Sequence, residues 1–378
     1  MSGFTCFDRL SLRTIYVLLD AVRKGRMGKT GIAFCVVGQL LMAAGAVAAD
    51  SSLSAVGIMK QFNLVVFGSA SSTSDVDGRS FIGGSVNGGT YATTKLASSS
   101  YPGLIVKGSA SNVMVNNQGA VVNDSIANST INSGSSAIMG SSSNTSYNGS
   151  GATYVAGSVQ GGNFNQQRLT SLSQNTTLQA EVNASNSLTS TTMKSSLGSL
   201  SSQLSKLQAT GSYSINNKNK VTFNATANKS GIAVIDLTGS NSTALTAFKE
   251  FAFNVDKSIS TLVFNVDSSN ISIAANFLAN SSQKLASNII WNFYNATQIS
   301  LSNQFGGSIL APNASLTNYN EINGGVYVNS LTQRGSINLA TFNGVLPAVP
   351  EPETYLLLCL GAALLFWRHK KRSAVTVV

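Results

Sequence analysis

Between residues 50 and 346 apolar residues come in short bursts of three to six, separated by Gly, Asn and Ser. This spacing suits many short strands and few helices. The bursts include FNLVVF at 62–67, LIV at 104–106, VMV at 113–115, IAVIDL at 232–237, FAFNV at 251–255 and LVFNV at 262–266. Later they crowd together as IIWNF at 289–293, ISL at 299–301, SIL at 308–310, ASL at 314–316, VYV at 326–328 and INL at 337–339. Asn295, Asn303, Gly306, Gly307, Asn313, Asn323 and Gly324 fall between them, and these residue types tolerate the positive φ of tight corners.

One triplet repeats. Gly-Ser followed by a small or β-branched residue occurs at Gly68-Ser69-Ala70, Gly84-Ser85-Val86, Gly108-Ser109-Ala110, Gly157-Ser158-Val159 and Gly307-Ser308-Ile309, the first four glycines being 16, 24 and 49 residues apart. Accidental recurrence in a Gly- and Ser-rich chain is the plain alternative. Irregular repetition of this kind predicts instead the coils of a β-solenoid, in which one coil cannot bury its own apolar face and must stack on the next. The expected class is therefore mostly β, a β-solenoid (β-helix) with Ile, Val, Leu and Phe filling its bore.

A segment at about 166–208 breaks this pattern. Glycine is nearly absent there, and Met193, Leu197, Leu200, Leu204 and Leu207 recur at steps of four and three, one apolar stripe of a helix over about 192–207. Leu169, Leu172, Leu178 and Val182 suggest a less regular helix before it. Five apolar positions are few for a coiled coil, so the stripe is expected to lie along a sheet face as a packed helical insertion, with oligomerisation as the alternative.

Composition changes the picture by where it is placed. The 378 residues carry a net charge of +10, but residues 50–346 hold 14 basic and 10 acidic groups, so much of the excess lies at the two ends and no nucleic-acid partner is expected. Cys6, Cys35, Cys359 and His369 also lie at the ends. The body thus lacks both residue types, which excludes zinc or copper sites, Cys- or His-based nucleophilic catalysis and a disulfide framework there; no cofactor is expected.

The ends read as addresses. TGIAFCVVGQLLMAAGAVAA at 30–49 follows Lys29 and closes on small residues, so 1–49 reads as a signal peptide cut beside Ala46, Ala48 and Ala49. An uncleaved membrane helix is the alternative, and Met27 is a candidate true start. At 347–378 come Pro350-Glu351-Pro352, an apolar stretch at 355–367 and the basic Arg368, Lys370, Lys371 and Arg372. Thirteen apolar residues reach roughly 20 Å in a helix, short of the roughly 30 Å bilayer core. A transmembrane sorting helix with its basic end in the cytoplasm fits better than a permanent anchor. This order resembles the PEP-CTERM sorting signal, which implies an exosortase as processing partner and transient residence in the inner membrane of a Gram-negative cell.

The body at 50–346 resembles the choice-of-anchor A domain in FNLVVFGSASSTSDVDGRSFIGGSV at 62–86, in the helical insertion and in the LAPNA segment at 310–314. The resemblance implies an adhesin-like surface domain with interchangeable anchors, and it attaches no catalytic residue. The later coils are also similar to ice-binding-like β-solenoid adhesins.

Asp75-Val76-Asp77-Gly78-Arg79 is the densest charged cluster of residues 50–346. Asp75 and Asp77 form a weak Ca²⁺ candidate; the cluster lacks the further ligands and distal Glu of a calcium loop, so a turn held by an Asp to Arg79 contact is the default. Asp256 and Asp267 offer carboxylates, but no spacing marks the pair that glycoside hydrolysis needs, and no enzyme is expected. Abundant Asn-x-Ser/Thr triplets follow from composition. The expected function is an exported protein of the cell surface or matrix, adhesive or structural in biofilm and exopolysaccharide or toward another cell surface; the alternative is an ice- or carbohydrate-binding module with a defined ligand face.

Overall fold

In the computed structural model, residues 53–346 are described apart from 218, 257 and 278–284. The signal-peptide segment with Ala46, Ala48 and Ala49 lies outside the described residues, as does the sorting segment with Pro350, Glu351, Pro352, Arg368, Lys370, Lys371, Arg372 and the expected transmembrane helix. Among the described residues no helix is long and apolar enough to cross a membrane.

Two kinds of corner set the strand length. At the first, glycines stack from coil to coil: the N–H groups of Gly84 and Gly108 donate to the carbonyls of Gly68 and Gly84 at 2.7 and 2.9 Å. A Cβ on either would lie 2.9 Å from the neighbouring carbonyl carbon, so at these two coils glycine is a packing requirement of the corner. At the second corner the backbone turns left-handed, with φ of 79° at Gly88, 56° at Asn112, 50° at Asn128, 46° at Asn144 and 68° at Gly161. Gly and Asn adopt that region at least cost. Of the turn residues expected to do so in the later coils, only Gly307 and Gly324 have positive φ; Asn313 lies within the strand Ser308–Asn318.

Strands between corners stack in parallel and build three faces. The first face runs through Leu64–Val66, Ser80–Ile82, Leu104–Val106, Ala120–Val122, Ser136–Ile138, Ala152–Val155 and Gln167–Leu169. The chain then leaves through helices and re-enters at the opposite end. It continues as Ile232–Asp236, Thr261–Val266, Ile289–Phe293 and the starts of Ser308–Asn318 and Val326–Gln333. Leu64 pairs with Val326, so the last coil stacks on the first and the two halves make one solenoid. Ser308–Asn318 and Val326–Gln333 cross the corner into the second face, which joins both faces into one 20-stranded sheet. A nine-stranded sheet forms the third face, and Gly211–Asn217, Lys220–Ala225, Glu250–Val255 and Asn276–Phe277 make a four-stranded sheet.

Asn63 locks the junction. Fully buried, its amide donates to Gly324 O at 2.9 Å and Asn338 O at 3.3 Å in the last coils, and its Oδ1 accepts from Gly78 N at 3.0 Å.

Most first-face strands are apolar at consecutive positions because both their sides are covered, whereas Gln167 and Arg168 in the last strand before the crossover are exposed. Inward residues such as Leu64, Val66, Ile82, Val106 and Phe264 fill the bore, while outward Val65, Phe81, Ile105, Ile290, Leu310 and Tyr327 meet helices. These helices are α1 (Ala55–Gln61), α2 (Thr176–Ser187) and α3 (Ser190–Leu204). Thr189 caps α3 in a capping box with Thr192, and Met193, Leu197, Leu200 and Leu204 line its buried side. The stripe therefore lies on a sheet face. Leu178 and Val182 of α2 pack on Val121, Ala137 and Leu169; Leu169 is in the last strand before the crossover and Leu172 in a short 3-10 turn. A polar clamp completes the seam: the Asn292 amide donates to Ser201 O at 2.9 Å, and Asn265 to Leu204 O at 2.7 Å.

Glu181 of α2 faces buried Arg79, and its Oε2 has no hydrogen-bond partner. Burial pushes the carboxyl up from 4.5 to about 7, partly opposed by the Arg79 charge. A carboxyl raised on folding binds its proton more tightly in the native state, so its contribution is full below the unfolded value of 4.5 and is lost as pH rises through about 7. Glu181→Gln is expected to flatten the dependence of Tm on pH across that window; thermal unfolding at both ends checks it.

Candidate functional site

Among the described residues α1, α2 and α3 cover the first face, while most outward positions of the second and third faces are exposed or half-buried. On the second face the inward positions are mostly apolar, with Ser72, Ser142, Asn318 and Gln333 buried among them, and the outward ones form two continuous columns. In one, Ser272, Ser300, Thr317 and Thr332 lead through the junction to Ser71, Asn87, Ser111, Ala127, Ser143 and Gln160, each paired with the next. The other column has Asn270, Gln298, Ser315 and Ser330, then the serines of the Gly-Ser corner. Nineteen of these twenty outward positions are Ser, Thr, Asn or Gln, and none is charged. Coils repeat every ~4.8 Å, so the face is a straight polar ribbon roughly 40 Å long.

Hydrogen bonds hold its side chains in place. Ser69 Oγ accepts from Ser85 N at 3.2 Å, Ser85 Oγ from Ser109 N at 3.1 Å, Ser125 Oγ from Ser141 N at 3.1 Å and Ser141 Oγ from Ser158 N at 3.2 Å. Each serine thus satisfies a backbone N–H and leaves its own O–H to point elsewhere. In the later coils the column is tied side chain to side chain instead, the Ser330 hydroxyl donating to Ser315 Oγ at 3.0 Å. At the edge, Ser109 donates to Asp124 at 2.7 Å and holds that carboxyl below its usual range.

The third face is chemically mixed. Asp75, Thr90, Met114, Thr130, Ser146 and Asn163 form its outward row, with Met114 exposed. Beside it runs an asparagine ladder, in which Asn132 donates to Asn116 at 2.9 Å and Asn165 to Asn148 at 2.8 Å.

Asp75 and Asp77 do not converge. Asp75 accepts from Ser74 at 3.3 Å, whereas Asp77 accepts from Thr93 Oγ1 and, at 3.0 Å, from Leu339 N. Among the described residues no three His, Cys, Asp or Glu side chains gather as a metal site. The expected Asp to Arg79 contact gives way to another arrangement. Arg79 is buried and donates to Tyr101 O at 3.1 Å, to Ala97 O and to Gln118 Oε1, pinning the 92–103 loop that makes one coil step 24 residues instead of 16. Asp256 and Asp267 each accept from turn amides, of Ser258 and Gly239.

Four of the five Gly-Ser triplets share the corner. Gly307-Ser308-Ile309 does not: Ser308 is buried on the first face. Gly140-Ser141 and Asp124-Ser125 occupy the corner unnoticed in the sequence, although a 16-residue step from Ser109 finds both.

Two depressions open on these surfaces. One of ≈ 500 Å³ lies on the second face among Asn270, Gln298, Ser300, Ser315, Thr317 and Tyr319. The other, ≈ 590 Å³, lies at the corner with the third face and includes Asp75, Asn112 and Met114.

Residues 348–372 match the PEP-CTERM protein-sorting motif, which marks an exported chain with a membrane-associated tail processed by exosortase. Residues 55–339 match the family described as "Putative Ice-binding-like adhesive domain". No curated protein and no solved structure gives a match. With its stacked coils matched almost from end to end, the chain belongs to the ice-binding-like adhesive domain family.

Proposed function

We propose that this exported, exosortase-processed surface protein is a non-enzymatic adhesin, adhesive or structural in the biofilm and exopolysaccharide at the outer surface of a Gram-negative cell. The observation that carries this reading is the second face, whose two uncharged columns run unbroken through both halves of the chain. Ordered hydroxyls and amides at a regular step offer many weak, equivalent contacts to a hydroxyl-rich polymer, and repetition converts these into avidity. Pairing such a body with a PEP-CTERM tail supports the choice-of-anchor A assignment. An ice- or carbohydrate-binding module would use the same surface. The mixture of Asn270, Gln298, Asn87 and Gln160 with shorter serines favours a flexible polymer over a single lattice spacing.

Charge placed on this face is the test. Asn87→Lys, Ser111→Lys and Ser143→Lys together are expected to lower attachment of producing cells to exopolysaccharide about tenfold or more. The same three charges on the third face, at Thr90, Thr130 and Ser146, are expected to leave it unchanged. Equal attachment of both variants and the parent would refute the reading.

A further inference from the structure

We infer that the depression beside Tyr319 is a subsite for one neutral pyranose unit of a polysaccharide. This deepens the adhesive reading of the second face and rests on it.

Tyr319 is 49% exposed at the corner that ends the strand Ser308–Asn318, an unusual position for a large ring in so polar a surface. Its backbone N–H donates to Leu301 O at 2.9 Å, which fixes it to the neighbouring coil. The Arg334 guanidinium lies 5.2 Å from its ring centroid. Register places the two partners on opposite sides: Asn318 pairs with Gln333 on one side and with Leu301 on the other. Arg334 therefore comes from the coil on the junction side, while the depression spreads over the coils of Gln298 and Asn270. One ring face is held by the Arg334 cation, and Tyr319 itself lines the depression on the other side of that coil.

The lining suits a sugar. A ring face is electron-rich and attracts the weakly positive C–H groups that cover one side of a pyranose. Asn270 and Gln298 each supply a donor pair and an acceptor, and Ser300, Ser315 and Thr317 supply hydroxyls that both donate and accept. Such two-way groups match sugar hydroxyls, which also donate and accept. No charged side chain lines the depression, which favours a neutral unit over a uronate. The corner depression differs, since Asp75 lines it and no aromatic residue does.

The test uses the full chain as its host exports and processes it. The probes are immobilised neutral hexasaccharides of glucose, mannose, galactose or xylose, with a polyuronate alongside. The parent is expected to bind at least one neutral probe, Tyr319→Ala about tenfold or more weakly, and Tyr319→Phe within about twofold, because the ring and not its hydroxyl makes the stack. Binding of the polyuronate alone, of no probe, or equally by Tyr319→Ala and the parent would overturn the subsite. If Tyr319→Ala binds as the parent while the second-face lysine variant still loses cell attachment, the subsite fails and the adhesive reading stands. Undiminished attachment of the lysine variant removes the adhesive reading itself.

Discussion

Trp291→Ala is expected to lower the unfolding free energy by about 4 kcal/mol and Tm by roughly 7 °C. Trp291 is fully buried in the bore of the later coils, stacked 3.9 Å from the Phe264 ring at an interplanar angle of 11°. Phe305 and Phe251 approach it at 5.2 and 6.1 Å. Its Nε1–H donates to Gly306 O at 2.8 Å, at a corner where Gly307 has φ of 108° and where a Cβ would lie 2.8 Å from the same nitrogen. Truncation leaves a cavity that parallel coils, tied on both sides by ladder hydrogen bonds, cannot collapse to fill. It also orphans a buried carbonyl, which costs about 1 to 3 kcal/mol by itself. Trp291→Phe separates the two terms: most of the packing remains and the hydrogen bond goes. Its loss is therefore expected to be smaller than that of alanine, read from urea midpoints of the two variants. Equal midpoints for Trp291→Ala and the parent would contradict the packing described.

Part of this architecture was legible in the residues. The Gly-Ser triplet announced stacking because its cause is local: a corner where Gly84 meets Gly68 admits no Cβ, and the following serine caps the next coil's N–H. The α3 stripe was legible for the same reason, since Met193 to Leu204 obey one helical period against one surface. What stayed hidden depends on distant pairings. Nothing near Leu64 says that its partner is Val326, and the reversal through α2 and α3 that makes this possible leaves no periodic mark. Hence the columns of the second face could not be assembled, because four of the ten positions in each come from later coils stepped at unequal intervals. Arg79 misled for a related reason. Beside Asp75 and Asp77 it reads as their partner, yet its guanidinium serves an inserted loop whose carbonyls at Ala97 and Tyr101 need a donor.

Joining the two halves covalently has the opposite sign. Ser71 and Thr332 are paired outward positions on adjacent strands across the junction. Strand neighbours ~4.8 Å apart are within the Cα separation of a disulfide, and residues 50–346 contain no other thiol. A bond between Ser71→Cys and Thr332→Cys closes a loop of about 260 residues, which in the chain-entropy account stabilises the fold by up to about 5 kcal/mol. Native-state strain lowers that gain. The expected rise in Tm is several degrees, reversed by reductant.

This variant also tests most directly whether the first and last coils meet, the condition for an unbroken polar ribbon. Peptide mapping after mild oxidation is expected to find the 71–332 link within single chains at high yield, while Ser71→Cys with Ser272→Cys stays reduced. A 71–332 pair that remains reduced, or that links only separate chains, would show that the two halves do not share a face.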